Sequence, residues 1–268
     1  MKIKTTVGQY YPVDSPIHRL DPRVKLLSVM AFIILLFVTN SFSGYGLIGL
    51  FLLSAIRLSR VPLRFMLRGI MALKLIILFT FVINVLFGLG EQVLIPLGFF
   101  SIYLESVLWA FMITLRFIML IVSSSLLTLT TSPMSLTSAI ETLLAPFKKI
   151  RLPVHEIAMM MTIALRFIPT LIEETDKITK AQMSRGADFD QGKLLDRVKS
   201  LIPVLIPLFV SAFRRADELA MAMDARCYRG DMQRTKLKEL TYTGRDWMAY
   251  GCMVLVSAVL VAWRFVPV

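Results

Sequence analysis

Long uncharged tracts alternate along the chain with short basic clusters. From Leu26 to Ile56 no charged residue occurs in 31 positions. One membrane span takes about 20 residues, so the tract is too long for one helix and short for two. The polar run Thr39-Asn40-Ser41-Phe42-Ser43-Gly44 lies at its middle and predicts a tight turn between two helices that extend slightly into charged flanks. Arg57, Arg60, Arg64 and Arg68 follow, then a third apolar segment from Ile70 to Gly90. Gly88, Gly90 and Pro96 mark a loop to about Tyr103, and Ser106–Thr131 is apolar apart from Arg116. Trp247–Trp263 gives a further 17 uncharged residues with Trp at both edges, where aromatic side chains suit the membrane–water interface.

Composition agrees with a membrane protein. The chain is 56% hydrophobic and 18% charged, with a mean hydropathy of +0.71. Ordinary soluble chains are about 45–50% apolar and about 25% charged. Disorder, collagen and small disulfide-rich scaffolds are excluded. Cys227 and Cys252 are too few for a disulfide framework or a metal set. The polar first 25 residues, with Lys2, Lys4, Arg19, Arg23 and Lys25, have no apolar core, so no cleavable signal peptide is expected. Lys and Arg are absent from the Thr39–Tyr45 turn and from the Gly88–Glu105 loop. The positive-inside rule then puts the N-terminus in the cytoplasm, returns the chain there by about Ser132, and leaves the tail after the fifth span outside.

Between the fourth and fifth spans, Lys148–Arg245 covers 98 residues and holds 18 Lys/Arg and 12 Asp/Glu. Two apolar runs interrupt it, Ile157–Ile172 (with Arg166) and Leu201–Phe213 (with Pro203 and Pro207). As spans they would carry the six Lys/Arg of Glu173–Ser200 outside, and 13 residues cannot cross about 30 Å as a helix. Amphipathic helices along the cytoplasmic face are the preferred reading. Leu165, Ile168, Leu171, Ile172, Ile178 and Met183 recur at helical steps, and Glu173–Lys177 and Asp176–Lys180 are acid-before-base pairs one turn apart. Gly186, then Asp188 and Asp190, stop the first helix; the second is expected from about Pro207 to near Gly230.

The two helices end alike. The first closes Ala181-Gln-Met-Ser184-Arg185-Gly186, the second Ala222-Met-Asp224-Ala225-Arg226-Cys227-Tyr228-Arg229-Gly230, a faint repeat at a 41-residue offset. In each, Asp176 or Asp217 lies nine positions before the Arg and Ala181 or Ala222 four before it. An Arg at a helix C-terminus suits the helix dipole and is often merely solvated. Small neighbours also clear space for a partner's groove to close on its five-donor fork and offer it carboxylates or carbonyls.

Other leads are weaker. No phosphate-cradling loop of the G-x-x-x-x-G-K-[ST] type occurs. Gly44-Tyr-Gly46-Leu-Ile-Gly49 matches G-x-G-x-x-G, but at a membrane turn with no strand before it, where close helix packing is the better explanation. His18 and His155 lack ligand-spaced neighbours, so neither a metal nor another cofactor is expected. The basic face is mixed with acids, so attraction to anionic lipids accounts for it without nucleic acid. Arg116 either serves a function inside its span or faces a polar group in the protein interior.

With both Arg motifs in view, the chain resembles the transmembrane T component of energy-coupling factor (ECF) transporters, the EcfT/CbiQ-type family, over nearly its whole length. The resemblance rests on Ser15-Pro-Ile-His-Arg19-Leu-Asp21-Pro22-Arg23-Val-Lys25-Leu, on Leu165-Arg166-Phe-Ile-Pro169, and on the two motifs, the second carrying Cys227 where Gly is common. It implies an all-α membrane protein with about five transmembrane helices and cytoplasmic coupling helices between the fourth and fifth spans. The corresponding division is 1–132, 133–245 and 246–268. It also implies a non-catalytic scaffold in a prokaryotic cell membrane. Two ABC-type ATPases would bind it at Ser184, Arg185, Gly186 and at Ala225, Arg226, Cys227. A small membrane-embedded subunit would capture a vitamin or metal ion. The alternative is a stand-alone secondary transporter or channel using Arg116.

Overall fold

The computed structural model describes residues 10–88, 90, 92–96, 101–150, 153–187, 189, 194–228, 230 and 240–265. Residues 1–9, Asp188, Asp190, Arg229 and the last three residues, on which parts of the sequence reading rest, lie outside these. The described chain is almost entirely helical: α1 (Pro22–Val38), α2 (Phe42–Ser59), α3 (Leu63–Phe87), α4 (Leu104–Thr130), α5 (Pro133–Leu144), α6 (Val154–Ser184), α7 (Leu194–Ala225) and α8 (Gly244–Phe265). A 3-10 segment, Ala145–Ile150, follows α5. Between α3 and α4, where the sequence predicts only a loop, β1 (Val93–Pro96) and β2 (Ser101–Tyr103) pair antiparallel.

Residues 8–139 with 239–268 form one compact unit and residues 140–238 belong to another. In the first, the polar turn inside the long uncharged tract falls where the sequence predicts it. Asp21 caps α1 by accepting the Arg23 N–H at 2.8 Å, with Pro22 in the first turn, where its missing N–H costs nothing. Ser41 caps α2 by accepting the Gly44 N–H at 3.3 Å. A Cβ on Gly44 would press on Thr39 and Ser41, and one on Gly49 would come within 3.1 Å of Met119. Two of the three glycines of the G-x-G-x-x-G match therefore serve close packing.

The core of this unit joins α1, α2 and α4 with α8, around Leu36, Tyr45, Ile48, Leu126, Leu129, Met253 and Leu260. α3 lies along α4 but buries only Met66, leaving Leu75 72% and Phe79 67% exposed. Water would penalise such a face, whereas hydrocarbon does not.

Among the described residues, five helices are long and apolar enough to cross a membrane: α2, α3, α4, α6 and α8. The number agrees with the sequence reading but the membership differs. α1 has 17 residues, about 26 Å of helix, at the short limit of a span. α6 qualifies because its apolar run is embedded in a 31-residue helix, about 46 Å long.

The second unit corrects the start of the other long helix. α7 begins at Leu194, not near Pro207, and ends at Ala225. Pro203 and Pro207 lie inside it, as Pro169 lies inside α6. A proline removes one ladder hydrogen bond and crowds the preceding turn, which kinks a helix and need not end it.

Candidate functional site

α6 and α7 end in the same backbone arrangement. At the first, the N–H groups of Arg185, Gly186 and Ala187 donate to the carbonyls of Gln182, Met183 and Gln182, each at 3.0 Å. At the second, those of Arg226, Cys227 and Tyr228 donate to Met223, Asp224 and Met223 at 3.1, 2.9 and 3.0 Å. Each set is a Schellman ending, with the arginine at the cap and the next residue in the left-handed region. Gly186 has φ 90° and Cys227 φ 55°. Cysteine in the place of glycine therefore leaves the turn intact.

The ending fixes where the arginines stand. Ser184, Arg185 and Gly186 are all exposed, as are Ala225, Arg226 and Cys227, and no described residue engages either guanidinium. Ser184 turns its hydroxyl back onto the Lys180 carbonyl at 3.1 Å, so it does not compete for Arg185. Each arginine is a cation at a helix C-terminus with its donors open to a partner.

Among the described residues, polar links at two places join α6 to α7. Glu174 accepts hydrogen bonds from the Ser211 hydroxyl and from Arg215, the latter at 3.1 Å, and Gln182 donates to the Pro203 carbonyl at 3.3 Å. As residue numbers rise along α6 they fall along α7, so the pair is antiparallel. Arg185 then lies about 10 Å of helix beyond the middle of this contact and Arg226 about 28 Å beyond it on the other arm. The two arginines stand at opposite ends of the pair, roughly 30–40 Å apart.

The opening segment of the first unit forms a buried polar knot that sequence reasoning missed. Arg23 forks onto the Asp21 carboxylate, with Nη2–Oδ2 at 2.8 Å, and the same guanidinium donates to the Leu240 carbonyl at 2.8 Å and lies 4.0 Å above the Tyr242 ring. Asp246, 1% exposed, accepts from the Asp21 N–H at 2.8 Å and from the Thr243 N–H and hydroxyl at 2.8 and 2.7 Å. Lys25 donates to the carbonyls of His18 and Thr130 at 3.1 and 2.9 Å. The knot ties the starts of α1 and α8 to the end of α4. Asp21, Arg23 and Lys25 are visible in the sequence as charges beside a span, but partners more than 200 residues away are not.

Arg116 also finds partners. Its Nε donates to the Tyr45 hydroxyl at 2.8 Å and Nη2 to the Thr39 carbonyl at 3.3 Å, with the Phe37 ring 5.4 Å below the guanidinium. It fastens α4 to the α1–α2 turn, which is the second of the two explanations left open by the sequence. Among the described residues no cluster of His, Cys, Asp and Glu could hold a metal ion.

Fold and site together define a multi-pass membrane subunit built of helices, with two matched arginines displayed at helix ends. Residues 14–237 match the cobalt transport protein family, CbiQ. The chain is 52% identical to the energy-coupling factor transporter transmembrane protein EcfT of Thermosediminibacter oceani, an alignment covering 97% of this chain and 98% of that protein. It is 47% identical to the EcfT protein of Bacillus subtilis, over 95% and 96% of the two chains, and 45% identical to that of Lactococcus lactis subsp. cremoris, over 96% and 97%. The chain belongs to this family: it is the transmembrane component of an energy-coupling factor transporter, a membrane subunit of a complex with other subunits.

Proposed function

We infer that the chain is the energy-coupling scaffold of an ECF-type ABC importer. It joins two cytosolic ATPases to a small membrane subunit that captures a vitamin or metal ion, and it performs no chemistry itself. Arg185 seats in a groove of one ATPase and Arg226 in a groove of the other. When ATP closes the ATPases, the helices carrying the arginines move and reorient the substrate-binding subunit, which releases its cargo inward. Residues 133–245 act as the coupling region on the cytoplasmic side, with the N-terminus inside and the C-terminus outside.

The observation that carries this reading is the pair of matched Schellman endings on opposite arms of one antiparallel helix pair. Two identical cationic tips roughly 30–40 Å apart suit two copies of one kind of groove and cannot share one. Their small, exposed neighbours let a groove close around the guanidinium, whose fork pairs bidentately with a carboxylate. Arg116 is engaged by Tyr45 and Thr39, which favours a fastening role over a substrate path in a stand-alone carrier.

A detergent pull-down tests the assignment, comparing wild type with the Arg185→Glu, Arg226→Glu double variant. Wild type should retain two ATPase subunits and the variant should lose them. Full ATP-driven uptake by the variant would overturn the role of both arginines.

A further inference from the structure

Arg185 and Arg226 can address two separate grooves only while the angle between α6 and α7 is fixed. The described contacts between those helices that carry direction are two. One joins Glu174 of α6 to Ser211 and Arg215 of α7. The other has a cause inside α7. In an unbroken α-helix the Pro203 carbonyl would accept the N–H of residue 207, four positions on, but that residue is Pro207 and has no N–H. The freed carbonyl is an acceptor without its helical partner, and the Gln182 side chain of α6 donates to it at 3.3 Å.

Resting on the coupling reading above, we propose that Gln182 and Glu174 are positioning residues for energy coupling: with the carbonyl freed by Pro207, they pin α6 across α7 and so set the spacing of Arg185 and Arg226. Neither residue touches an ATPase in this scheme. The pin converts movement of one arginine into movement of both helices, because a hydrogen-bonded crossing transmits torque that a purely apolar contact between Leu and Met side chains would let slip. Gln182 lies three residues before Arg185, so it ties the arginine's own last turn to the partner helix. The bend expected at Pro207 and the lock that uses it come from the same residue.

The proposal separates stability from position, and Pro207→Ala exploits this. Alanine restores the N–H, which closes the ladder onto the Pro203 carbonyl and displaces Gln182, while α7 itself becomes a better helix. The second variant, Glu174→Ala with Gln182→Leu, removes both links. Glu174→Gln keeps an acceptor for Ser211 and serves as the conservative control.

The full chain is placed in lipid nanodiscs with Cys252→Ser, and nitroxides are attached to Cys227 and to a cysteine in an Ala181→Cys variant, reporting the distance between the two helix ends. Unlabelled counterparts are reconstituted with the ATPases and the substrate-binding subunit to count molecules imported per ATP hydrolysed. The pinned chain should give one narrow distance. Pro207→Ala and the double variant should broaden it or move it by about a helical pitch, ~5 Å. Both should still bind the ATPases yet import severalfold fewer molecules per ATP, with Glu174→Gln near wild type. An unchanged distance in both variants would overturn the pin. A changed distance with an unchanged import ratio would overturn its role in coupling. Failure of the wild-type chain to bind any ATPase would instead overturn the proposed function and leave the distance measurement to judge the pin alone.

Discussion

Cys227 follows Arg226 in the same left-handed conformation that Gly186 adopts after Arg185, at φ 55° against 90°. Glycine holds this conformation freely, whereas a residue with a Cβ is disfavoured there by roughly 1–2 kcal/mol. The cysteine is held by the hydrogen bonds of its neighbours, Cys227 to Asp224 at 2.9 Å and Tyr228 to Met223 at 3.0 Å. Cys227→Gly should therefore preserve the ending and ATPase association. Cys227→Val adds a β-branched side chain and should fray the last turn, weakening association about as much as removing Arg226. Amide exchange across residues 222–228, read beside the pull-down, checks both. Equal protection in the valine variant would show that the ending does not depend on this backbone state.

Cys227 also offers a direct probe, since its thiol is free and exposed beside Arg226. In a Cys252→Ser background a bulky maleimide should react with it readily in the isolated chain. Bound ATPases should slow that reaction by about tenfold or more, a burial worth ~1.4 kcal/mol or above. Prior labelling should block binding at this arm. Equal labelling with and without the ATPases would show that the second ending stays open in the complex.

The charges of the polar knot do work of a different kind. Asp21 and Arg23 are paired with side chains 3% and 9% exposed, and Asp246 receives the backbone of Asp21 from the far end of the chain. Breaking a buried pair by removing one partner typically costs about 3–5 kcal/mol, because the remaining charge is left uncompensated. Asp21→Ala should therefore lower the thermal unfolding midpoint in detergent sharply, and Asp246→Asn by less, since an amide oxygen can still accept one N–H. Arg19, whose partner Asp14 is on the surface, should tolerate alanine with little change. A small shift for Asp21→Ala would mean that the knot is dispensable to the fold.

Why some of this was legible in the sequence and some not follows from distance along the chain. The turn between α1 and α2 shows as a local polar run in an uncharged tract, and the repeated Arg motifs show because each is defined by residues within about three helical turns. The β1–β2 hairpin has no such mark, since a four-residue strand between Gly-rich ends reads as loop. Pro203 and Pro207 mislead in the opposite direction. Local rules treat them as a boundary, yet α7 passes through, and a side chain 21 residues earlier fills the acceptor that Pro207 leaves. The knot is farthest from view, because Asp21 and Asp246 are 225 residues apart.

Arg116 separates a structural fastening from a transport path. If it only holds α4 to the turn at Thr39, Tyr45→Phe should loosen the protein by about 0.5–1.5 kcal/mol, the usual net value of one hydrogen bond. Arg116→Lys loses the planar fork and should lower the unfolding midpoint further. Uptake by the assembled transporter, measured below the unfolding midpoint, should stay near wild type in both. Abolished uptake with undiminished stability would return Arg116 to a place in the substrate path.

His18 gives the first unit a pH dependence whose sign can be worked out. Its Nε2 faces the Tyr11 carbonyl at 3.0 Å and so donates, leaving Nδ1 to accept from the Ser15 hydroxyl at 2.7 Å. Burial disfavours the charged ring and holds its pKa below the usual imidazole value of about 6.5, outweighing the hydrogen bond to Tyr11. The unfolded chain therefore takes up a proton as pH falls through about 6.5, before the folded chain does, so the stabilisation present above that pH is lost below it. Unfolding midpoints in detergent should fall between pH 7.5 and pH 5.5 in the wild type. His18→Gln should flatten that slope, because the amide can donate to the Tyr11 carbonyl and accept from Ser15 without titrating. A slope unchanged by the substitution would assign the pH dependence to other groups.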